Sequence, residues 1–302
     1  MLLYFNNLNK IIKKESKKPL IKGLTNQQIK VGLCVIGKKE NSYAHEFVIY
    51  YKKLGYNHIF IYDNNDINDE KFEDIFSKEL SENFISIINY RGYRGKRNKP
   101  QFDAYYDCYQ RNHEKYDWLS FFDFDEFLVL KNNSNIQQFL NQKKFDICDN
   151  IKINWMIYSD NDLIYYEDKP VQERFTTPLP NNILNKHIKS TIRGHLKINY
   201  WKNMLNPHSS IVNVSCCSPN GTKIDYNSPY NYHPNHDIAF IKHYETKTIE
   251  EYILKVKRGR SDIYIKINDE IWKNKFNYFF MRNNKTKEKL YFIKKVLNIT
   301  II

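Results

Sequence analysis

The sequence predicts an α/β fold: a mostly parallel sheet flanked by helices, then a mixed region and a helical tail. Three observations predict it. Between residues 31 and 123 short β-branched runs alternate with amphipathic stretches at helical spacing, the mark of successive βα units. The punctuation agrees, with Gly55 where a helix needs a C′ residue and Pro100 where a helix takes its first turn. Finally, 302 residues with 41% hydrophobic content can fill one large core or two small ones, and only 9 Gly and 9 Pro exclude a collagen-like or disordered chain.

The elements follow in order. Residues 1–30 read as a polar, lysine-rich arm. "VGLCVI" (31–36) is a buried strand, and "SYAHEFVIYYKKL" (42–54) a helix with an apolar stripe. "HIFIYD" (58–63) is the second strand, "NDEKFEDIFSKEL" (68–80) the second helix and "FISIIN" (84–89) the third strand. After the basic loop "YRGYRGKRNK" comes the helix "PQFDAYYDCYQRNH" (100–113), then the fourth strand, "WLSFFD" (118–123). Past residue 130 the alternation loosens into short strands and turns such as "SPNGTK". "TIEEYILKVKRG" (248–259) is the clearest amphipathic helix of the tail side. In parallel sheets ligands bind outside the strands' carboxyl ends, and Asp63 and Asp123 both fall there.

Composition narrows the partners. A formal net charge of +13 favours polyanions: nucleic acid, anionic lipid or a phosphorylated small molecule. The lysines are spread along the chain, which reads first as solvated surface. Five cysteines without metal-ligand or disulfide-framework spacing predict reduced thiols in a reducing compartment. The N-terminal segment lacks an uninterrupted apolar region and cleavage site, so it is not read as a signal peptide. No window reaches the roughly 18 apolar residues of a spanning helix. A peripheral contact with anionic membrane is compatible with "KLYFIKKVLNITII".

Within "WLSFFDFDEFLVL" (118–130), three carboxylates interrupt an otherwise apolar run. In extended chain Asp123 and Asp125 point the same way while Phe124 packs opposite. Two hard oxygen ligands converging at a strand end suit Mg²⁺ or Mn²⁺, which would relieve their repulsion. One such chemistry clamps the pyrophosphate of a nucleotide-sugar. Another makes the first Asp a phosphoryl nucleophile, as in haloacid-dehalogenase-type phosphatases. That motif usually opens its domain and carries Thr or Val where this chain has Phe127, after three βα-type units.

Several ordered motifs resemble glycosyltransferase family 92 and its family-2-like relatives. Glu40, Tyr43, Glu46, Tyr50, Leu54, Gly55, Tyr62, Asp63 and Asn64 fall into the family's opening pattern. Gln101, Ala104, Tyr105, Cys108 and Trp118 match a later run leading into "DFDEF", and "KHYETKTIEEYILKVKRGR" (242–260) matches a third. The resemblance covers roughly residues 31–260. It implies a GT-A domain there, with a Rossmann-like nucleotide-binding half (31–130) and an acceptor-side half (131–260), followed by a tail (261–302). It implies sugar transfer from a nucleotide-sugar donor, a UDP-sugar, to a glycan or glycoconjugate acceptor, with Mn²⁺ or Mg²⁺. Asp123 and Asp125 would hold the metal and its diphosphate, and His243 would complete it ahead of His233 and His236. Asp63, Asn64, Glu40 and Gln101 would frame the nucleotide, and Lys247, Lys257 and Arg258 would counter phosphate charge.

An inverting enzyme would need a carboxylate base after the aspartates; Asp160 and Glu173 are the first candidates, with Asp237 and Asp262 behind them. The chain departs from the family pattern at Lys39, Lys242 and Ser159. Animal members are typically Golgi-anchored. This sequence shows no such anchor, so a soluble cytoplasmic enzyme of microbial or viral origin, with no nucleic-acid partner, is expected. The alternatives are a non-catalytic binder of nucleic acid or anionic surfaces and, below it, the phosphatase.

Overall fold

The structure is a computed structural model, and it describes residues 28–96, 99–132, 135–197, 208, 214–224, 228–259 and 268–298. The expected arm up to residue 27, and Asp262, lie outside these residues.

Four strands open the fold: β1 (Val31–Gly37), β2 (His58–Asp63), β3 (Ile85–Asn89) and β4 (Trp118–Phe121). They pair in parallel in the order β3-β2-β1-β4. That is the order of a Rossmann-like half, as the GT-A expectation requires. The uniform apolarity of β1 has a simple cause. Leu33 and Val35 pack on one face with Phe47, Val48 and Tyr51 of helix α1 (Asn41–Lys53). Cys34 and Ile36 pack on the other with Tyr105 and Cys108. These last two belong to a later helix; α2 (Ser77–Ser81) comes between, and α3 (Pro100–Asn112) carries them. Both faces are covered, so no polar alternation survives.

The second half is mixed. Its strands are β5 (Glu126–Leu130), β6 (Asn150–Ile157), β7 (Ile188–Arg193), the short pair β8 (Cys216–Cys217) and β9 (Lys223–Ile224), and β10 (Ala239–His243). The path continues β4-β7-β6-β10-β5, with β7 antiparallel to both neighbours and β10 antiparallel to β5. Two short helices, α4 (Ile136–Leu140) and α5 (Val171–Arg174), precede α6 (Ile249–Arg258), α7 (Asp269–Phe280) and α8 (Lys287–Leu297). Thr248 and Glu251 form a capping box at the start of α6. Ile249, Tyr252 and Ile253 of α6 share a separate apolar cluster with Trp272, Phe276, Phe279 and Ile293. The described part of the tail therefore packs onto the helix that follows β10.

Three expectations need correction. The second helix is a 3-10 turn (Phe72–Ile75) plus the short α2, with Phe72 and Phe76 both buried in the core. The fourth strand stops at Phe121. And Cys148 is bonded to Cys217 across 69 residues, although their spacing gives no sign of it; Cys34, Cys108 and Cys216 are buried and outside the disulfide.

Candidate active site

After β4 the chain turns rather than running on extended, and the Glu126 amide donates to the Asp123 carbonyl at 3.0 Å. Phe124 anchors the turn. Its ring lies 5.2 Å from that of Phe72 and 4.9 Å from that of Phe47. Gly37 makes room for it, since a Cβ there would sit 2.5 Å from the ring. The opposite orientation of Phe124 was expected; the extended backbone was not found.

The two aspartates have different surroundings. Asp123 Oδ1 accepts from Gln101 Nε2 (2.7 Å) and the Tyr105 hydroxyl (3.1 Å), and its Oδ2 accepts from Lys189 Nζ at 2.7 Å. Lys189, on β7, is wholly buried and also lies 3.4 Å from Glu126. Burial pushes the Glu126 carboxyl up to about 7 against the pull of Lys189, and one of its oxygens is buried without a hydrogen-bond partner. Asp125 Oδ2 accepts from Lys255 Nζ of α6 at 2.7 Å, and its Oδ1 is 3.5 Å from His243 Nε2. Burial alone would raise Asp125, but Lys255 and His243 overcome it and hold the carboxyl well below its usual range. The same contact raises His243 against its own burial. The pairing of β10 with β5 brings this imidazole in, placing His243 opposite Glu126.

Other expected residues do different things. Asp63 is fully buried; its Oδ1 accepts from the Asn65 amide and side chain, and its Oδ2 accepts from Arg91 at 2.8 Å. Asn64 donates to the carbonyls of Tyr90 and Tyr93. Both residues therefore knit the loops after β2 and β3. Arg258 pairs with Glu40 and donates to the Lys38 and Lys39 carbonyls, so these two clasp α6 to the loop after β1. Lys247 is buried, adopts φ +52°, and lies 4.1 Å from the centre of the Tyr43 ring. Burial lowers its ammonium, with Glu40 and Asp125 pulling the other way.

The expected bases are also displaced. Asp160, 1% exposed, is paired with Lys289 of α8 at 2.6 Å. Glu173 and Asp237 are exposed, as are His233 and Lys257. His236 bonds to the Trp155 carbonyl at 2.7 Å.

The residues that sequence reasoning missed are mainly cations. Lys255 was within reach, because it stands one turn beyond Glu251 on the same face of α6. Lys189 carried no signal; it matters only once β7 lies beside β4. Trp155 is another: its ring centre is 4.1 Å from that of His243 and 4.8 Å from that of His187.

Two carboxylates and an imidazole are suitable donors for Mn²⁺ or Mg²⁺. Asp125 and His243 fit that use, sharing one small space. Asp123 is drawn instead to Gln101 and Lys189, and among the described residues no three His, Cys, Asp or Glu side chains converge as a metal-binding group. Of the three expected ligands, Asp125 and His243 therefore stand together, and Asp123 stands apart on Gln101 and Lys189.

The sequence pattern of glycosyltransferase family 92 matches residues 29–298. The chain belongs to glycosyltransferase family 92. The match takes in α7 and α8, past residue 260 where the motif resemblance stops. A family 92 protein from rice, Oryza sativa subsp. japonica, is 30% identical over 108 residues, which cover 36% of this chain and only 18% of the rice protein's length. Among solved structures, S. aureus TarS is 10% identical with a TM-score of 0.39, covering 89% of this chain and 46% of that one. The mannosyltransferase PcManGT from Pyrobaculum calidifontis, in complex with GDP-Man and Mn²⁺, is 11% identical with a TM-score of 0.32, covering 50% and 42%. Among the described residues of this family 92 chain, no helix is long and apolar enough to cross a membrane.

Proposed function

We propose that this family 92 chain transfers a hexosyl group from a nucleotide-sugar, a UDP-sugar, to a hydroxyl of a glycan or glycoconjugate. The observation that carries the reading is the meeting of Asp125 and His243 at 3.5 Å, beyond the carboxyl end of a parallel half-sheet of nucleotide-binding order. Asp125 and His243 would hold Mn²⁺ or Mg²⁺, with Asp123 beside them. The cation, when bound, would neutralise the departing diphosphate. The chain's own residues do the rest. Gln101 and Tyr105 fix the Asp123 carboxylate, and Lys189 neutralises Asp123 and Glu126 so that the turn does not open by repulsion. Lys255, whose side chain is 30% exposed, supplies an ammonium that phosphate oxygens can reach. Lys247 adds a second cation behind it.

A thermal-shift panel of UDP and UDP-sugars, with Mn²⁺ or EDTA, tests this on wild type and Asp125→Asn. A ligand at about 100 times its Kd stabilises the native state by about 2.7 kcal/mol, which is easily read as a rise in Tm. We expect a Mn²⁺-dependent rise in the wild type that the variant lacks. No shift with any nucleotide would sink the proposal.

A further inference from the structure

We infer that the cavity between the Leu179–Leu184 loop and the end of α7 is the acceptor subsite, and that it takes an uncharged saccharide. This rests on the transferase reading above and assigns it a second substrate site. The cavity holds about 470 Å³, within the range of small-molecule sites. Ile183 and Met281, 65% and 71% exposed, contribute apolar surface from its two walls. Asn181 and Asn182 supply amides on the loop side, and Tyr278 and Arg282 line the helix side. The Arg282 guanidinium lies 3.3 Å from the centre of the Tyr278 ring. Its Nε is 3.6 Å from Glu245 and makes no hydrogen bond, although the residue is 94% buried.

Both walls are tied to elements that carry partners of the acidic turn. On the loop side, Asn185 donates to the carbonyls of Leu179 (2.8 Å) and Pro180 (3.0 Å) and accepts from the Ile157 amide. The loop so pinned runs into β7, where Lys189 meets Asp123. On the helix side, the Tyr278 hydroxyl donates to Glu245 at 2.8 Å, and the Glu245 carbonyl accepts from Lys255 at 2.9 Å. Lys255 in turn holds Asp125. A ring with C–H groups on its faces and hydroxyls at its edge suits apolar walls carrying a few amide and guanidinium donors. Glu245 answers the charge of Arg282, so the cavity favours a neutral ring over an anionic one.

Saturation-transfer NMR on the full chain tests the assignment with the methyl glycosides of glucose, galactose, mannose and N-acetylglucosamine, in the presence of UDP and Mn²⁺. Met281→Arg and Ile183→Arg each lay a long cation across the mouth from an exposed position on opposite walls, so neither requires the core to repack. At least one glycoside should bind the wild type and bind both variants about tenfold more weakly, while the UDP Kd, titrated separately, moves by less than about twofold. Failure of every glycoside to bind the wild type would overturn the inference, and so would binding that survives both variants. A wild type that binds a glycoside but ignores UDP would count against the donor site and uphold the cavity as a sugar site.

Discussion

Two strand ends in the parallel half carry aspartates, and they have different fates. At the end of β2, Asp63 is closed in, with one oxygen on Asn65 and the other on an Arg91 that also donates to the carbonyls of Asp66, Asp69 and Glu70. Beyond β4, Asp123 and Asp125 meet side-chain cations that come from distant elements, and the Asp123 side chain is still 33% exposed. A carboxylate at a strand end becomes a site when its partners can be exchanged for a ligand. When its partners are its own loop's amides and a guanidinium locked onto neighbouring carbonyls, it becomes a joint.

This contrast can be broken by substitution. Asp125→Asn keeps the shape and removes the charge. We expect kcat/KM for transfer to fall roughly 10³-fold, about 4 kcal/mol of barrier, with the fold retained. Activity within a few-fold of wild type would place the chemistry elsewhere. Asp63→Ala should show the reverse pattern. Removing one partner of a buried ion pair costs about 3–5 kcal/mol, which urea denaturation would read, while kcat per folded molecule stays within about threefold. If Asp63→Ala kept its stability and lost activity instead, Asp63 would be a ligand after all.

The parallel half was legible because local pattern and tertiary position agree there. Every residue of "VGLCVI" is buried on one of two helix-covered faces, so an apolar run is all that such a strand can show. The extent of the second helix was not legible. Phe72 and Phe76, four apart, would share one buried face of a continuous helix, so the break between the 3-10 turn and α2 leaves no mark in the apolar pattern. The acidic turn was located correctly, but its backbone and its cations were not. Lys189 reaches Asp123 from 66 residues away and Lys255 reaches Asp125 from 130, and no local period encodes a contact of that span. The burial of Asp160 was illegible for the same reason: its partner, Lys289, lies in the tail for which the motifs gave no account.

The pH response separates the two regions without touching either aspartate. Burial pushes His187 down to about 4 from its ordinary 6.5, with the charge of His243 adding to the effect; Lys186 and Lys189 push the same way, and Glu245 opposes. Because the folded pKa lies below the unfolded one, the unfolded chain takes up a proton first as pH falls. The stability tied to this group is complete above about pH 6.5 and is lost as pH drops toward 4. The loss is at most about 3 kcal/mol at 1.36 kcal/mol per pKa unit. Denaturation midpoints at pH 7 and 4.5 should therefore converge for His187→Asn relative to wild type. An unchanged pH slope would mean that His187 is solvated.

The smallest effect probes how firmly the second region holds its cations. Lys255 rides on α6, whose start is fixed by Thr248 accepting from the Glu251 amide at 3.1 Å and by Glu251 accepting from the Thr248 amide at 3.2 Å. Glu251 is held independently by a two-pronged contact with Arg174, at 2.8 and 3.0 Å, and by the Tyr43 hydroxyl at 2.7 Å. Thr248→Ala removes the cap and leaves these anchors. Stability should fall by about 1 kcal/mol, the usual cost of a lost N-cap, and transfer by no more than about twofold. A much larger loss of activity at the same loss of stability would show that the cap, rather than the Arg174–Glu251 pair, sets where Lys255 meets Asp125.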